Sequence, residues 1–479
     1  MGSETTLEQR PFDVHTIAII GAGPCGLAAA KYLTAQNVFD RIDVYERQSE
    51  VGGVWKYSAK PSENHHVPQV SPHCPPDPPL KPGDGNNDKG PVFPSPMYEL
   101  LHTNIPRGLM PFTDFPFSND LLIFPSRDDV QDYLVQYSQD IRHLIRFSAE
   151  VKDVRLRQDS EGKDQWDVDV LSLRTGETTS AAYDAVVVAS GHYSITYIPD
   201  IKGISEFNST HPDVISHSKY YRTPEPFRNK KVIVVGNAAS GLDIASQISK
   251  VSQQPLLLSV RTPTPEANLE WTGAEEVPEI EEFLVGERAV RFKNGRVEKD
   301  IDAIVFATGY LYSFPFLKSL QPPLVTDGRR VRGLYKHLFH IGHPTLVFPG
   351  LPIKVVPFPV SQSQAAIFSR VWANLLPLPP VGKMKQWEDE EAERKGSKSH
   401  VWPVGADSEY INSVYEWITN SGTPGKEPPR WSEDLCWQRT IHMKAKLRFE
   451  LEGRKAKSLE GLGFAYQPEE KDDSGPLLL

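Results

Sequence analysis

Three glycines and an acid carry the first chemical argument. Gly21, Gly23 and Gly26 stand in Gly21-Ala-Gly-Pro-Cys-Gly26, and Glu46 follows 20 residues after Gly26. An apolar β-branched run, Thr16-Ile-Ala-Ile-Ile20, precedes the glycines, and Leu27, Ala30 and Leu33 follow at helical spacing. GxGxxG between a strand and a helix is a dinucleotide-binding turn. Gly21 permits the tight turn, Gly23 lets the backbone approach a pyrophosphate seated on the helix N-terminus, and Gly26 allows close helix–strand packing. Glu46, ending the next strand, is expected to accept hydrogen bonds from ribose hydroxyls. Cys25 has no partner cysteine nearby and reads as a small packing residue.

A second turn, Gly236-Asn-Ala-Ala-Ser-Gly241, differs in two chemical respects. Ala238 replaces the middle glycine, and Ser240 adds a hydroxyl able to hold phosphate. Arg261, again 20 residues past the last glycine, stands where Glu46 stands in the first copy. A cation there fits a ribose 2′-phosphate, so the second ligand is expected to be NADP.

Other residues admit two readings from sequence. Val51-Gly-Gly-Val-Trp55 is either backbone opened for a flavin or an ordinary turn with a core Trp. Asn104, in Leu101-His-Thr-Asn104, is either an amide facing a ligand or a buried amide bonded to neighbouring backbone. His217, in His217-Ser-Lys-Tyr-Tyr221, reads as a hydrogen-bonded linker residue in preference to a catalytic acid or base.

These residues imply the elements that hold them. Strand, glycine turn, helix and strand occur at 16–46 and return at 231–260, two βαβ units. Each is followed by a similar strand ending, Asp184-Ala-Val-Val-Val-Ala-Ser-Gly191 and Asp302-Ala-Ile-Val-Phe-Ala-Thr-Gly309. The expected class is therefore α/β with two nested Rossmann-like domains: one from 1–205 and 326–479, the other from 206–325. Residues 58–96 contain 11 prolines and are expected to be an inserted surface excursion. Helices are expected around 364–371, 408–420 and 431–450, a solvated helix face at 388–395, and a disordered tail from 469 to 479.

Composition excludes several classes. Of 479 residues, 39% are hydrophobic, enough to offset chain entropy. The formal charge of −10, with no basic block, argues against nucleic acid. Cys25, Cys74 and Cys436 form neither a disulfide framework nor a metal pair, which points to a reducing, cytoplasmic setting and no metal site. The first 15 residues do not resemble a secretory leader, and no run is long enough to span a bilayer. A homo-oligomer is compatible with the sequence.

Together these segments resemble the flavin-containing monooxygenases, class B flavoproteins that use FAD and NADPH, over roughly residues 14–375. The resemblance rests on GAGPCG at 21–26, Glu46, GGVW at 52–55, ELLHTN at 99–104, HSKYY at 217–221, GNAASG at 236–241 and FATGY at 306–310. Phe112-Thr-Asp-Phe-Pro-Phe117 and Gly350-Leu-Pro-Ile with Pro357-Phe-Pro359 are similar to fungal members. The family signature FxGxxxHxxx followed by Tyr or Phe is matched at His217 and Tyr221. His211 stands in place of Phe and Asp213 in place of Gly; with Ala238 these are three departures, touching the linker and the NADP loop. Tyr221, where Baeyer–Villiger relatives have Trp, favours the heteroatom-oxidising branch.

The resemblance implies a glutathione-reductase-like architecture and FAD held by Gly21, Gly23, Gly26, Glu46, Gly52, Gly53, Val54 and Trp55. It implies that Thr103 and Asn104 lie at the cofactor, with Asn104 near the flavin's reactive edge, and that Ser240, Gly241 and Arg261 hold NADPH. The implied reaction forms a flavin C4a-(hydro)peroxide from O2 and oxygenates a soft sulfur or nitrogen nucleophile of a small molecule. Baeyer–Villiger or N-hydroxylating chemistry with the same cofactors is the alternative within the class. A non-catalytic NADP-sensing regulator is the alternative outside it.

Overall fold

The computed structural model describes residues 12–62, 66–80, 90–160 and 162–468. Thr16–Ile20 lies within a seven-stranded sheet. Parallel to it run Arg41–Glu46 and then Ile145–Phe147 on one side, and Ala185–Val188 and then Leu346–Val347 on the other. Two antiparallel strands, Phe339–His340 and Leu334–Tyr335, complete that edge. The runs TIAII and AVVV are almost wholly buried, as parallel strands covered on both faces must be.

The two-residue alternation of the strands decides what covers each face. Ile17, Ile19 and Val187 share a core with Leu27, Tyr32, Phe368 and Trp372 of the Pro24–Thr34 and Pro357–Trp372 helices. Ala18, Ile20, Val186 and Val188 pack with Trp166, Val168 and Val170. Those belong to an antiparallel meander of Ala149–Gln158, Asp164–Ser172 and Thr178–Tyr183. Pro24 opens its helix where the missing N–H costs nothing.

The same plan is built again between 215 and 306. A five-stranded parallel sheet runs in the order Ala274–Pro278, Leu256–Val260, Val232–Val235, Ala303–Phe306, Ile215–His217. Val232, Val234 and Leu258 pack with Ile244 and Ile248 of the Ala239–Ser249 helix. Ile233, Leu257 and Ile304 pack with Phe283, Val290 and Phe292 of a second small meander. The fold is thus α/β with two nested Rossmann-like units. The chain crosses between them through Ile195–Thr196 and Tyr310–Leu311, which pair antiparallel with each other.

The expected helices appear as Pro357–Trp372, Ala406–Ser421 and Glu433–Leu451. The charge run lies in the Val381–Lys395 helix, but it is not wholly solvated. Glu391 is buried and paired with Lys395 at 2.7 Å and with Arg394. The tail from 469 lies outside the described residues. The described parts of 58–96 form no helix or strand of their own, as an excursion would, but side-chain contacts tie them to the body of the protein. Lys219, itself buried, pairs with Asp77, and buried Arg222 donates to the Ser95 carbonyl at 3.0 Å. Prolines remove ladder donors, so side chains from elsewhere hold this segment down.

Candidate active site

Steric demands explain each glycine of the first turn. Gly21 has φ +101°, and a Cβ there would lie 2.6 Å from the Ala189 carbonyl oxygen. A Cβ on Gly26 would lie 1.9 Å from the Gly21 carbonyl oxygen. Gly23 is different: its φ is −75°, open to any residue, and a Cβ would meet only Gly53, its Cα at 3.5 Å and its nitrogen at 3.8 Å. The middle glycine is therefore not demanded by the fold.

Glu46 is 4% exposed and braces this turn. Its Oε2 accepts the Ala22 N–H at 2.7 Å and its Oε1 accepts the Gln48 N–H at 2.8 Å. Burial pushes its carboxyl up, and the two N–H groups oppose that shift. An ionised carboxylate has about four acceptor sites, so capacity remains for ribose hydroxyls. Gly21, Glu46, Gly53 and Val54 line one partly open cleft at the carboxyl ends of the strands, beside the switch in strand order.

Sequence reasoning missed several members of that cleft. Arg47 lies over the Phe93 ring at 4.3 Å, and Pro76, Phe93 and Ser95 of the proline-rich segment form part of the wall. Arg47 directly follows Glu46, a signal that was there to be read. Tyr193 also lines the cleft and is 42% exposed.

Gly52 and Gly53 both have positive φ, +118° and +58°, and start the single turn Gly53–Trp55. The Gly52 N–H donates to the Ala22 carbonyl at 3.0 Å, joining the two glycine turns directly. Trp55 is half-buried against the main core, as is Ile105. Thr103 is buried, donating its N–H to the Pro125 carbonyl and its hydroxyl to the Ile105 carbonyl, each at 2.9 Å. The Asn104 side chain is exposed and has no partner among the described residues, so the buried-amide reading does not hold. Neither Thr103 nor Asn104 lines the cleft that holds Glu46.

The second turn repeats the first in detail. Gly236 has φ +105° with its Cβ direction closed by the Ala307 carbonyl oxygen at 2.8 Å. A Cβ on Gly241 would lie 2.0 Å from the Gly236 carbonyl oxygen. Ala238 has φ −75° and ψ 177°, against −75° and −177° for Gly23, so the methyl leaves the turn's shape intact. Ser240 and Arg261 are exposed. Asn237 ties the turn to the chain after Arg261, donating to the Thr262 carbonyl at 2.8 Å and the Thr264 hydroxyl at 2.9 Å.

The signature stretch is structural. His217 is fully buried; its Nδ1 accepts the Lys219 N–H at 3.1 Å, which leaves Nε2 to donate to the Gly309 carbonyl at 3.0 Å. Burial holds it neutral, lowering its pKa to about 3. Asp213, where the signature has glycine, sits at φ +70°, the left-handed region that glycine prefers and Asp tolerates better than most residues. His211, where Phe is expected, packs edge-on against Phe207 and bonds the Val285 carbonyl at 2.8 Å. Cys25 packs against Gly350, burial pushing its thiol up to about 12, which suits the packing role.

Two family models match this chain. A flavin-binding monooxygenase-like model matches residues 90–265 and 273–423, more than half the chain, and an NAD(P)-binding Rossmann-like domain matches 19–78. The chain belongs to the flavin-binding monooxygenase-like family. This flavin monooxygenase is 31% identical over 442 residues to the thiol-specific monooxygenase of Saccharomyces cerevisiae, covering 88% of this chain and 90% of that one. It is 34% identical over 382 residues to flavin-containing monooxygenase FMO GS-OX-like 4 of Arabidopsis thaliana, covering 77% and 78%. The solved S-allyl-L-cysteine S-oxygenase from Allium sativum aligns with a TM-score of 0.72 at 26% identity, covering 92% and 94%. Cyclohexanone monooxygenase, at 14% identity and a TM-score of 0.53, shares the fold alone.

As a member of that family, this flavin monooxygenase uses FAD and NADPH and acts on a small molecule with O2. Its own residues fit two dinucleotides: two glycine turns of one shape open onto helix N-termini at the carboxyl ends of parallel strands in two sheets. Among the described residues, no group of three or more His, Cys, Asp or Glu is arranged to hold a metal, and no helix is long and apolar enough to cross a membrane.

Proposed function

We propose that this flavin monooxygenase oxygenates the sulfur of a small thiol or sulfide, with nitrogen nucleophiles as the neighbouring class. The observation that carries the division of labour is the contrast after two matching turns: a buried carboxylate, Glu46, at the first and an exposed cation, Arg261, at the second. Free ribose hydroxyls call for an acceptor and a 2′-phosphate calls for a cation. On this reading 1–205 and 326–479 form the FAD unit and 206–325 the NADP unit, although Phe314, Phe316, Leu317 and Leu320 pack into the core of the first sheet. The substrate class draws support from the relatives named for thiols and S-oxygenation and from Tyr221 at the last signature position. Three unpaired cysteines support a cytoplasmic setting.

FAD would be held by Gly21, Gly23, Gly26, Glu46, Gly52, Gly53, Val54 and Trp55, and NADPH by Ser240, Gly241 and Arg261. The flavin supplies hydride acceptance and oxygen activation. The chain's part is to orient and to exclude water. Gly23 and Gly53 let backbone come close, and Glu46 fixes the ribose end. Asn104, exposed beside buried Thr103 and without a side-chain partner among the described residues, would turn its amide to the reacting edge.

The test is product analysis with the FAD-loaded protein, NADPH and O2 against thiols, sulfides, amines and ketones. Oxygenated sulfur stoichiometric with NADPH is the expected result. Ester or lactone from ketones would move the assignment to Baeyer–Villiger chemistry. NADPH binding without turnover on any substrate would favour the regulator reading.

A further inference from the structure

Three segments far apart in sequence meet at one buried carboxylate. Asp243, two residues past Gly241 on the Ala239–Ser249 helix, is 4% exposed. Its Oδ2 accepts the Tyr98 hydroxyl, and its Oδ1 lies 3.2 Å from the Arg454 guanidinium. Arg454, just beyond the Glu433–Leu451 helix, also donates to the Leu100 carbonyl at 2.7 Å. One turn along the same coenzyme-side helix, Gln247 accepts the Tyr221 hydroxyl at 2.9 Å. The rings of Tyr221 and Tyr98 meet edge-on with centroids 5.4 Å apart.

Tyr98 and Leu100 begin the stretch that ends at Asn104. Its other end is tied to the flavin side: the Thr103 N–H bonds the Pro125 carbonyl at 2.9 Å, and the Arg127 N–H bonds the Leu101 carbonyl at 3.2 Å. Residues 98–104 therefore form a strap between the coenzyme helix and the flavin unit.

We propose that Asp243 is a positioning residue that registers the coenzyme helix against Asn104, acting through Tyr98 and Arg454. The inference rests on the reading of Asn104 and of the second glycine turn given above. Other contacts join the units, among them Lys219 with Asp77, Arg222 with Ser95, and the paired strands Ile195–Thr196 and Tyr310–Leu311, but none of these three involves a residue of the Ala239–Ser249 helix. A carboxylate that accepts from a phenol and a guanidinium in a buried setting fixes geometry far better than a surface pair does. Burial and the neighbouring carboxylate push the Tyr98 phenol well up, so it keeps its proton and remains a donor. Registry matters because a misplacement of about 1 Å at a reacting centre can cost roughly a hundredfold in rate.

Tyr98→Phe, Arg454→Gln and the double variant test this in the FAD-loaded protein. Tyr98→Phe removes one hydroxyl and keeps the ring in its apolar cluster, so folding is retained. Three quantities are read: NADP+ affinity by calorimetry, amide exchange over 98–104 with and without NADP+, and peroxide released per NADPH consumed. Wild type is expected to show slower exchange over 98–104 when NADP+ binds. Tyr98→Phe is expected to lose that protection, bind NADP+ within about twofold of wild type, and release several-fold more peroxide, as loss of one charge-assisted contact would allow. The double variant should be no worse than the more severe single, because the residues act as one unit.

Retained protection and wild-type coupling in Tyr98→Phe would overturn the proposal. If wild type makes no oxygenated product, the reading of the site fails, and the exchange data alone then decide the registry. Loss of NADP+-dependent protection in Tyr98→Phe would still support it, and retention would overturn it.

Discussion

The Nε2 of His217 donates to the carbonyl oxygen of Gly309, 3.0 Å away, and the same oxygen accepts the Tyr197 N–H at 2.9 Å. Gly309 directly precedes one crossing strand and Tyr197 directly follows the other. One imidazole thus clamps the point where the chain passes between its two units. It does so only while neutral, since Nδ1 must accept the Lys219 N–H.

That requirement has a pH consequence shared by other histidines. Burial lowers His217 to about 3 and His192, His340 and His442 to about 4. The unfolded chain protonates these groups near 6.5. Below that value the unfolded state takes up protons that the folded state refuses. Their contribution is complete above about pH 6.5 and is lost as pH falls toward the folded values. At pH 5.5 the loss is about 1.4 kcal/mol for each. The urea midpoint should therefore fall steadily from pH 7.5 to 5.5, where ordinary carboxylates do not titrate; a flat midpoint would refute this account.

Arg261→Ala should raise the KM for NADPH by roughly 10- to 150-fold, the loss of a charged contact worth about 1.5–3 kcal/mol. Use of NADH should stay nearly constant. Steady-state kinetics with both coenzymes checks it, and equal effects on the two would remove Arg261 from the 2′-phosphate.

Asn104→Ala should leave NADPH oxidation in place while diverting it to hydrogen peroxide. Removing one donor to a reacting centre commonly costs about 10²–10³ in the step it serves. Peroxide and oxygenated product are measured against NADPH consumed. Unchanged coupling would place Asn104 outside the chemistry.

The first glycine turn separates folding from binding. Gly26→Ala drives a methyl to 1.9 Å from the Gly21 carbonyl oxygen and should leave little folded protein. Gly23→Ala has an ordinary backbone φ and meets Gly53 Cα at 3.5 Å, so it should fold with a midpoint near wild type but purify with much less flavin. Flavin absorbance against protein concentration, together with melting, checks the pair. A Gly23→Ala protein with full flavin content would show that close approach is not required there.

Local chemistry was legible in the sequence, and contacts between distant segments were not. The glycine turns announced themselves because backbone sterics permit few residues there, and both copies prove to have one shape. Asp213 looked like a defect in the signature, yet it adopts the left-handed conformation the missing glycine would have supplied. The proline-rich stretch read as a loop because proline density reports lost backbone donors, not the side chains that compensate. Lys219 reaching Asp77 and Arg222 reaching Ser95 span 142 and 127 positions. Tyr98 and Asp243, 145 positions apart, carry no periodic or motif signal. Asn104 is ambiguous in sequence because an amide serves ligand and backbone equally well, and its exposure removes only the buried-amide reading.

The crossing pair of Ile195–Thr196 with Tyr310–Leu311 makes the coenzyme-side unit resemble a graft on a single stem. Exit and re-entry lie side by side, so enlarging or replacing what lies between them leaves the host sheet's own ends where they were. Such a replacement must still match the residues that touch across the join, among them Lys219 against Asp77, Arg222 against Ser95 and Tyr197 against Gly309.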